Sequence, residues 1–119
     1  MPFKKALDRI VDTAGGGVGA TIVDDEGEFV DLANRGDSFE VRLAGAHHGI
    51  ILSLLNDIQE RIGSGDVIRE LYIRSDRFTY SVAPVKEGLF VVLIQDRTGI
   101  PALGMKALRD GIPEINELI

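Results

Sequence analysis

The sequence contains the run Leu89-Phe90-Val91-Val92-Leu93-Ile94, which is apolar at odd and even positions alike. A strand with one face in water alternates between apolar and polar residues, whereas a strand covered on both faces does not. The run, extended to Gln95, is therefore predicted to be a central strand, with helices packed above and below its sheet.

Hydrophobic periodicity and turn residues define the elements around this strand. A first helix ends at three consecutive glycines, and a last helix begins near Pro101 and is expected to break or kink at Pro113. The predicted helices cover residues 2–14, 44–62 and 101 onward, and the predicted strands cover residues 18–24, 28–33, 67–74, 77–82 and 89–95. Short loops between consecutive strands imply antiparallel neighbours. The sequence thus predicts a three-layer α/β/α sandwich with a five-stranded antiparallel sheet and the element order α-β-β-α-β-β-β-α.

The strand at residues 67–74 is predicted to lie at an edge of the sheet. Its Leu71 and Ile73 alternate with Tyr72 and Arg74, a pattern typical of a less buried strand. An edge strand of this mixed character is able to pair with a second copy of itself.

The helix at residues 44–62 carries two distinct faces. One face is an apolar stripe at helical spacing, which we expect to lie on the sheet: Leu43, His47, Ile50, Ile51, Leu54, Ile58 and Ile62. The opposite face carries Gly45, Gly49 and Ser53, and a glycine inside a helix costs about 0.5–1 kcal/mol relative to alanine. Small residues allow another backbone to approach closely, so this opposite face is predicted to pack against a second protein helix.

Composition narrows the class of protein. The 119 residues are 45% hydrophobic, which is typical of one domain, here residues 1–119. No apolar run approaches the length of a membrane span, and the N-terminus lacks the pattern of a secretion signal, which predicts a cytoplasmic protein. The net charge of −6, without a Lys/Arg cluster, argues against a nucleic-acid partner.

Residues suited to catalysis or metal binding are sparse, and the sequence predicts no enzyme, no cofactor and no metal site. His47 and His48 are adjacent, about 100° apart on a helix, and are not able to share one metal ion. His47 is expected to border the core and His48 to face solvent or a partner. Ser53 shares a helix face with neither histidine, which leaves no nucleophile and base pair. The glycine pattern at residues 15–20 follows a helix, whereas a dinucleotide-binding pattern follows a strand.

Two segments and the order of elements together resemble the Roadblock family of dynein-light-chain-related domains. The segments are the hairpin entry Gly17-Val18-Gly19-Ala20-Thr21-Ile22-Val23-Asp24-Asp25-Glu26-Gly27 and the helix start Ile100-Pro101-Ala102-Leu103-Gly104-Met105-Lys106. The resemblance implies a homodimer in which the central helices pair and the third strands join two sheets into one. It also implies an adaptor, scaffold or regulatory subunit that acts on a small Ras-like GTPase, as bacterial and archaeal members do. The paired central helices would form the docking surface.

The resemblance and the two-faced helix together predict two sets of contact residues. The predicted dimer interface consists of Gly45, Gly49, Leu52, Ser53, Asn56 and Tyr72. The predicted GTPase-binding surface consists of Leu52, Asn56 and Glu60, an apolar centre with a polar rim. At this point two modes stay open: acceleration of hydrolysis, as by a GTPase-activating protein, or simple retention of the partner.

A second hypothesis is a small-molecule-sensing domain of profilin-like or PAS-like architecture, because a fold alone does not fix a function. A sensor is expected to place convergent polar groups inside its core. We expect none in the predicted strand interiors, so the dimeric GTPase-binding module is the leading interpretation.

Overall fold

The computed structural model describes residues 2–36 and 38–119, apart from the side chains of residues 38 and 39. These residues form three α-helices and five β-strands in the predicted order. The elements are α1 (Lys4–Ala14), β1 (Gly17–Asp24), β2 (Phe29–Asn34), α2 (Ser38–Arg61), β3 (Leu71–Arg74), β4 (Phe78–Pro84), β5 (Leu89–Asp96) and α3 (Pro101–Leu118). A single 3-10 turn, Lys86–Gly88, connects β4 to β5.

The five strands form one sheet in the order β2-β1-β5-β4-β3, and all neighbouring strands are antiparallel. The apolar strand β5 lies at the centre and β3 lies at an edge, so both of these predictions are confirmed. β5 is central because only a strand covered on both faces buries side chains at every interior position.

Each face of the sheet has its own hydrophobic core. Helices α1 and α3 cover one face, where Leu7 and Leu108 pack against Ile22 and Leu93. Helix α2 covers the other face, where buried residues of the helix meet Val23, Val82, Phe90, Val92 and Ile94. The predicted three-layer sandwich is confirmed. Among the described residues, none of the helices combines the length and apolar character needed to cross a membrane.

Three predicted boundaries were wrong, each for a physical reason. Helix α2 begins six residues early, at Ser38, because nothing there breaks a helix and Val41 is buried in the α2 core. Helix α3 continues past Pro113, since the buried Ile115 anchors the turn that follows. Strand β3 begins at Leu71, not at Val67. The segment before it is not paired as a strand because the Asn56 side chain binds the backbone of Ile68.

The orientation of α2 on the sheet is the reverse of the prediction. Gly45 and Gly49 are buried, and a Cβ added at Gly49 would lie 2.5 Å from Val23 Cγ2. A Cβ at Gly45 would overlap Thr21 Cγ2. The two glycines therefore let α2 approach its own sheet, and Leu52 beside them is fully buried. The close approach offsets the helix-propensity cost of the glycines, which the prediction had assigned to a second protein helix.

We expect Gly45→Ala to lower the free energy of unfolding by about 1–2 kcal/mol, measured by urea denaturation, because the overlap with Thr21 puts the cost at the upper end of the overpacking range. Alanine favours an isolated helix by about 1 kcal/mol, but an overpacked core costs about 1–3 kcal/mol. Gly45→Ala that is as stable as the wild type would contradict close packing of this face.

A rescue variant isolates the contact. Thr21→Ser removes the Cγ2 methyl group but keeps the hydroxyl, which donates to the Asp31 carbonyl oxygen at 3.0 Å. In the Thr21→Ser background, Gly45→Ala should lower the free energy of unfolding by no more than half as much as it does in the wild type. An undiminished cost would assign the effect to something other than this overlap.

Candidate protein interaction surface

The outer side of α2 carries large apolar side chains that touch neither sheet core. Leu43, Leu54 and Ile58 are 47%, 56% and 53% exposed, and His47 is exposed between them. Together with the half-buried Ile50, they recur at helical spacing on the side opposite Gly45 and Leu52. We call these five residues the outer stripe: Leu43, His47, Ile50, Leu54 and Ile58. Ile62, just beyond the helix, extends it and is 68% exposed.

The outer stripe has the properties of a contact surface. Single exposed apolar residues are ordinary, but a contiguous apolar row on one helix marks a site of association. From Leu43 to Ile58 the row is about 22 Å long at a rise of 1.5 Å per residue. The stripe offers apolar contact and shape, and no arrangement for covalent chemistry.

The two edges of the sheet are β2 and β3, and β3 pairs only with β4 among the described strands. Tyr72 on this strand is 44% exposed, but it lies on the α3 face beside Pro101 and Met105. It is therefore on the opposite side of the sheet from α2. Only the backbone edge of β3, and not the Tyr72 side chain, is available to continue an interface that begins at the outer stripe.

An ion pair attaches the segment before β3 to α3. Arg109 donates two hydrogen bonds to the Glu70 carboxylate. These hydrogen bonds lower the pKa of Glu70 and raise that of Arg109. Both side chains are partly exposed, so the pair fixes the position of the segment and adds little stability.

In the structure, some of the predicted contact residues of α2 are engaged within the chain and others are accessible. Leu52 is fully buried against the chain's own sheet, and so are the predicted interface positions Gly45 and Gly49. The Asn56 amide accepts from Ile68 N at 2.7 Å and donates to Ile68 O at 3.3 Å. The prediction that these residues lie on a free face is wrong. Ser53 is half-buried and Glu60 is exposed, so both have surface to offer.

The two histidines also exchange the positions predicted for them. His48 stacks on Tyr80 with ring centroids 4.0 Å apart, and its Nδ1 lies 2.7 Å from the Ala44 carbonyl oxygen. His47 is exposed in the outer stripe. A cavity of about 270 Å³ opens between them and the sheet, lined mainly by apolar side chains such as Val41 and Phe78. Within residues 2–36 and 38–119, no three metal-ligating side chains form a cluster.

The strand interiors contain polar residues that the sequence analysis did not anticipate. Thr21, Ser81 and Gln95 are buried. Thr21 binds the backbone of β2, and the Gln95 amide donates to the carbonyl oxygens of Ala14, Gly15 and Ile100 at 3.3, 3.0 and 3.2 Å. Thr21 and Gln95 thus stabilise backbone groups and do not converge on a ligand cavity.

Solved structures share this architecture. The Roadblock/LC7 domain from Streptomyces avermitilis superimposes with a TM-score of 0.84 and 14% identity, covering 97% of this chain and 95% of its own. Myxococcus xanthus MglB gives 0.83 and 13%, covering 99% and 94%. MglC from Myxococcus xanthus gives 0.72 and 23%, covering 100% of both chains. The chain has the Roadblock/LC7 fold, which confirms the resemblance at the level of structure.

Sequence comparison adds nothing to this result. No protein-family model matches the chain, and no curated protein matches its sequence.

Asn56→Ala should release the segment at residues 63–70. The Ile68 amide would lose its acceptor, so we expect its hydrogen exchange to accelerate at least tenfold, with about 1–3 kcal/mol less stability. Asn116→Ala is the matched control, because Asn116 Oδ1 accepts from Lys86 N in a different loop. In Asn116→Ala, hydrogen exchange should accelerate at the Lys86 amide and stay unchanged at the Ile68 amide. Unchanged exchange at Ile68 in Asn56→Ala would show that the amide contact does not hold the segment.

Proposed function

Because the chain has the Roadblock/LC7 fold, we propose that it is a homodimeric, non-enzymatic module that binds a small Ras-like GTPase and regulates or scaffolds it. The observation that carries the proposal is the outer stripe, an apolar row left uncovered on the central helix. The resemblance implies pairing at this same helix. Nothing in the described residues brings a nucleophile, a base and an oxyanion site together, which favours an adaptor over an enzyme.

A second copy of the chain is the natural occupant of the outer stripe. Two identical helices related by a twofold axis present the same surface to each other, so an apolar row on one meets an apolar row on the other. Full burial of each leucine or isoleucine side chain contributes about 1.5–3 kcal/mol. We propose the outer stripe as the dimer interface, in place of Gly45, Gly49 and Leu52. The free edge of β3 would extend it by strand pairing.

The GTPase is proposed to dock on the flank of the paired helices. Ser53 and Glu60 lie roughly a third of a turn around α2 from the outer stripe, so they stay accessible when the stripe is covered. Of the three predicted GTPase contacts, Glu60 is retained. Leu52 and Asn56 are withdrawn because their side chains are engaged within the chain.

Leu54→Lys should abolish or strongly weaken the dimer. A charge placed in an apolar interface loses the leucine contact and is desolvated. We therefore expect the free energy of dimerisation to weaken by at least about 2 kcal/mol, which raises the dimer dissociation constant about thirtyfold. Light scattering across a dilution series measures it, with circular dichroism confirming the fold. The control is Leu103→Lys, which changes a side chain of similar exposure (51%) on α3.

Two results would contradict the proposed interface. One is a wild-type protein that is monomeric at concentrations of tens of micromolar. The other is an equal loss of dimer in Leu54→Lys and Leu103→Lys, because the control residue lies on the other face of the sheet.

Glu60→Arg should weaken GTPase binding at least fivefold while the dimer persists. The candidate GTPase, loaded with GDP or with a non-hydrolysable GTP analogue, is titrated by calorimetry into each variant after its dimeric state is confirmed. Glu117→Arg, the same charge reversal at an exposed site near the end of α3, should change binding less than twofold. Single-turnover GTP hydrolysis, with and without the dimer, distinguishes acceleration from retention. No binding in either nucleotide state would remove the GTPase from the proposal.

A small-molecule sensor is the second candidate, favoured by the cavity of about 270 Å³ beneath the start of α2. Small-molecule sites usually measure about 300–1,000 Å³ and surround most of the ligand. This cavity is at the lower limit and borders the outer stripe through Leu43 and His47, so the interface interpretation ranks first.

A further inference from the structure

A second cavity lies at the end of the sheet, where the turn between β3 and β4 meets the loop that leads into α3. Its volume is about 370 Å³. The lining includes the side chains of Arg74, Arg77, Thr79 and Arg97, together with Gly99 and Pro101 at the start of α3. None of the outer stripe residues lines it, although Arg74 is the last residue of β3, whose edge is proposed to extend the dimer interface.

The cavity is locally positive in an acidic protein. Three arginines face two aspartates, Asp76 and Asp96, a net charge of +1 in a chain whose net charge is −6. Arg74 and Arg77 form no ion pair with any residue that the structure describes. The Arg77 guanidinium lies over the Phe78 ring, 5.1 Å from its centroid, and a cation stacked in this way keeps its N–H donors for an anion.

Of the two aspartates, Asp96 is held within its own turn, whereas the Asp76 side chain is exposed. The Asp96 carboxylate accepts the Thr98 amide and hydroxyl, and these hydrogen bonds keep its pKa below the usual range. Arg97 Nε donates to the backbone carbonyl of Asp76, which joins the two turns, and the terminal nitrogens of Arg97 have no partner among the described residues. The cavity wall is thus braced before any ligand arrives.

Two further features point to an oxyanion. Thr79 is only 8% exposed, yet its hydroxyl has no hydrogen-bond partner among the described residues. A buried hydroxyl without a partner is costly, and a ligand oxygen would satisfy it once the Thr79 side chain rotates toward the cavity it lines. Helix α3 begins beside the cavity without a side-chain cap, and a helix N-terminus attracts anions.

We propose that this cavity binds the phosphate group of a small phosphorylated molecule. Arginine forks match the planar pairs of oxygens on a phosphate, and the Thr79 hydroxyl supplies one further donor. A volume of about 370 Å³ leaves room for a group the size of a ring beyond the phosphate itself. The proposal does not rest on the proposed function, since its test uses phosphate and no GTPase and compares variants in the same oligomeric state.

Amide chemical shifts of the ¹⁵N-labelled protein report where and whether an anion binds. Inorganic phosphate and phenyl phosphate are titrated at pH 7.5 and low ionic strength, with sodium chloride at matched ionic strength as the reference. We expect saturating shifts confined to the amides around Thr79, Arg97 and Gly99, and at least fivefold tighter binding of phenyl phosphate. Shifts that do not saturate, or that spread over unrelated surface residues, would overturn the proposal.

Two double arginine variants distinguish binding at a specific site from a general effect of net charge on anion binding. Arg74→Gln with Arg97→Gln should weaken phenyl phosphate binding at least tenfold, because both forks are lost. Arg61→Gln with Arg69→Gln makes the same change in net charge at exposed positions outside the cavity and should change binding less than twofold. Equal effects of the two pairs would reduce the interaction to nonspecific electrostatics and overturn the site.

Thr79→Val tests the role of the hydroxyl by two measurements, the affinity for phenyl phosphate and the melting temperature. Valine keeps the shape of threonine, so binding should weaken about tenfold while the melting temperature stays constant or rises, since an unpaired buried hydroxyl is removed. A fall in melting temperature with unchanged phosphate affinity would assign Thr79 to packing alone and contradict its role in the site.

Discussion

The close approach of α2 to the sheet is the constraint on which the rest of the structure depends. Gly45 and Gly49 have no side chains to keep the helix away from Thr21 and Val23, so its backbone comes near enough for Leu52 and Val41 to be buried completely. Leucines at 43 and 54 are on the far side of the same helix and cannot reach the sheet. One row of small residues thus builds a core and, by the same geometry, leaves an apolar surface outside.

The sequence was sufficient for the order of elements, the central strand and the edge strand, because these depend on local periodicity and on turn residues. It was not sufficient for the orientation of α2. A helical wheel identifies two faces but not what each face meets, and the rule that the more apolar face lies inward holds only where the chain buries all its apolar surface by itself. Here the larger side chains are on the outer stripe. The sequence feature that indicates the correct orientation of α2 is its row of glycines, because such a row fits against the β-branched side chains of strand β1.

Two features that the sequence analysis missed, the late start of β3 and the role of Gln95, both involve side chains that bind backbone groups far away in the sequence. Asn56 takes the N–H and C=O of Ile68, the groups that an extended β3 would have used for pairing, and twelve residues separate the two. Gln95 links the end of α1 to the start of α3 through three carbonyl oxygens, from a strand that reads as apolar. Hydrophobic periodicity depends only on the polarity of each residue. It therefore does not predict that a polar amide is buried because its hydrogen-bond partners are distant in the sequence.

The two faces of the sheet carry different kinds of surface for a related reason. On the α2 face the core consists of apolar side chains and the outer stripe is largely aliphatic, which suits a partner of similar composition. On the other face Gln95 fits beneath Gly104, where a larger residue would collide with its side-chain oxygen, and this contact sets the start of α3 against β5. Thr79 lies directly across from Gln95 on β4, and neither its hydroxyl nor Gln95 Oε1 has a hydrogen-bond partner among the described residues. Because the Gln95 amide nitrogen binds backbone carbonyls where α1 ends and α3 begins, both helices are joined to the sheet at the end that carries the arginine-lined cavity.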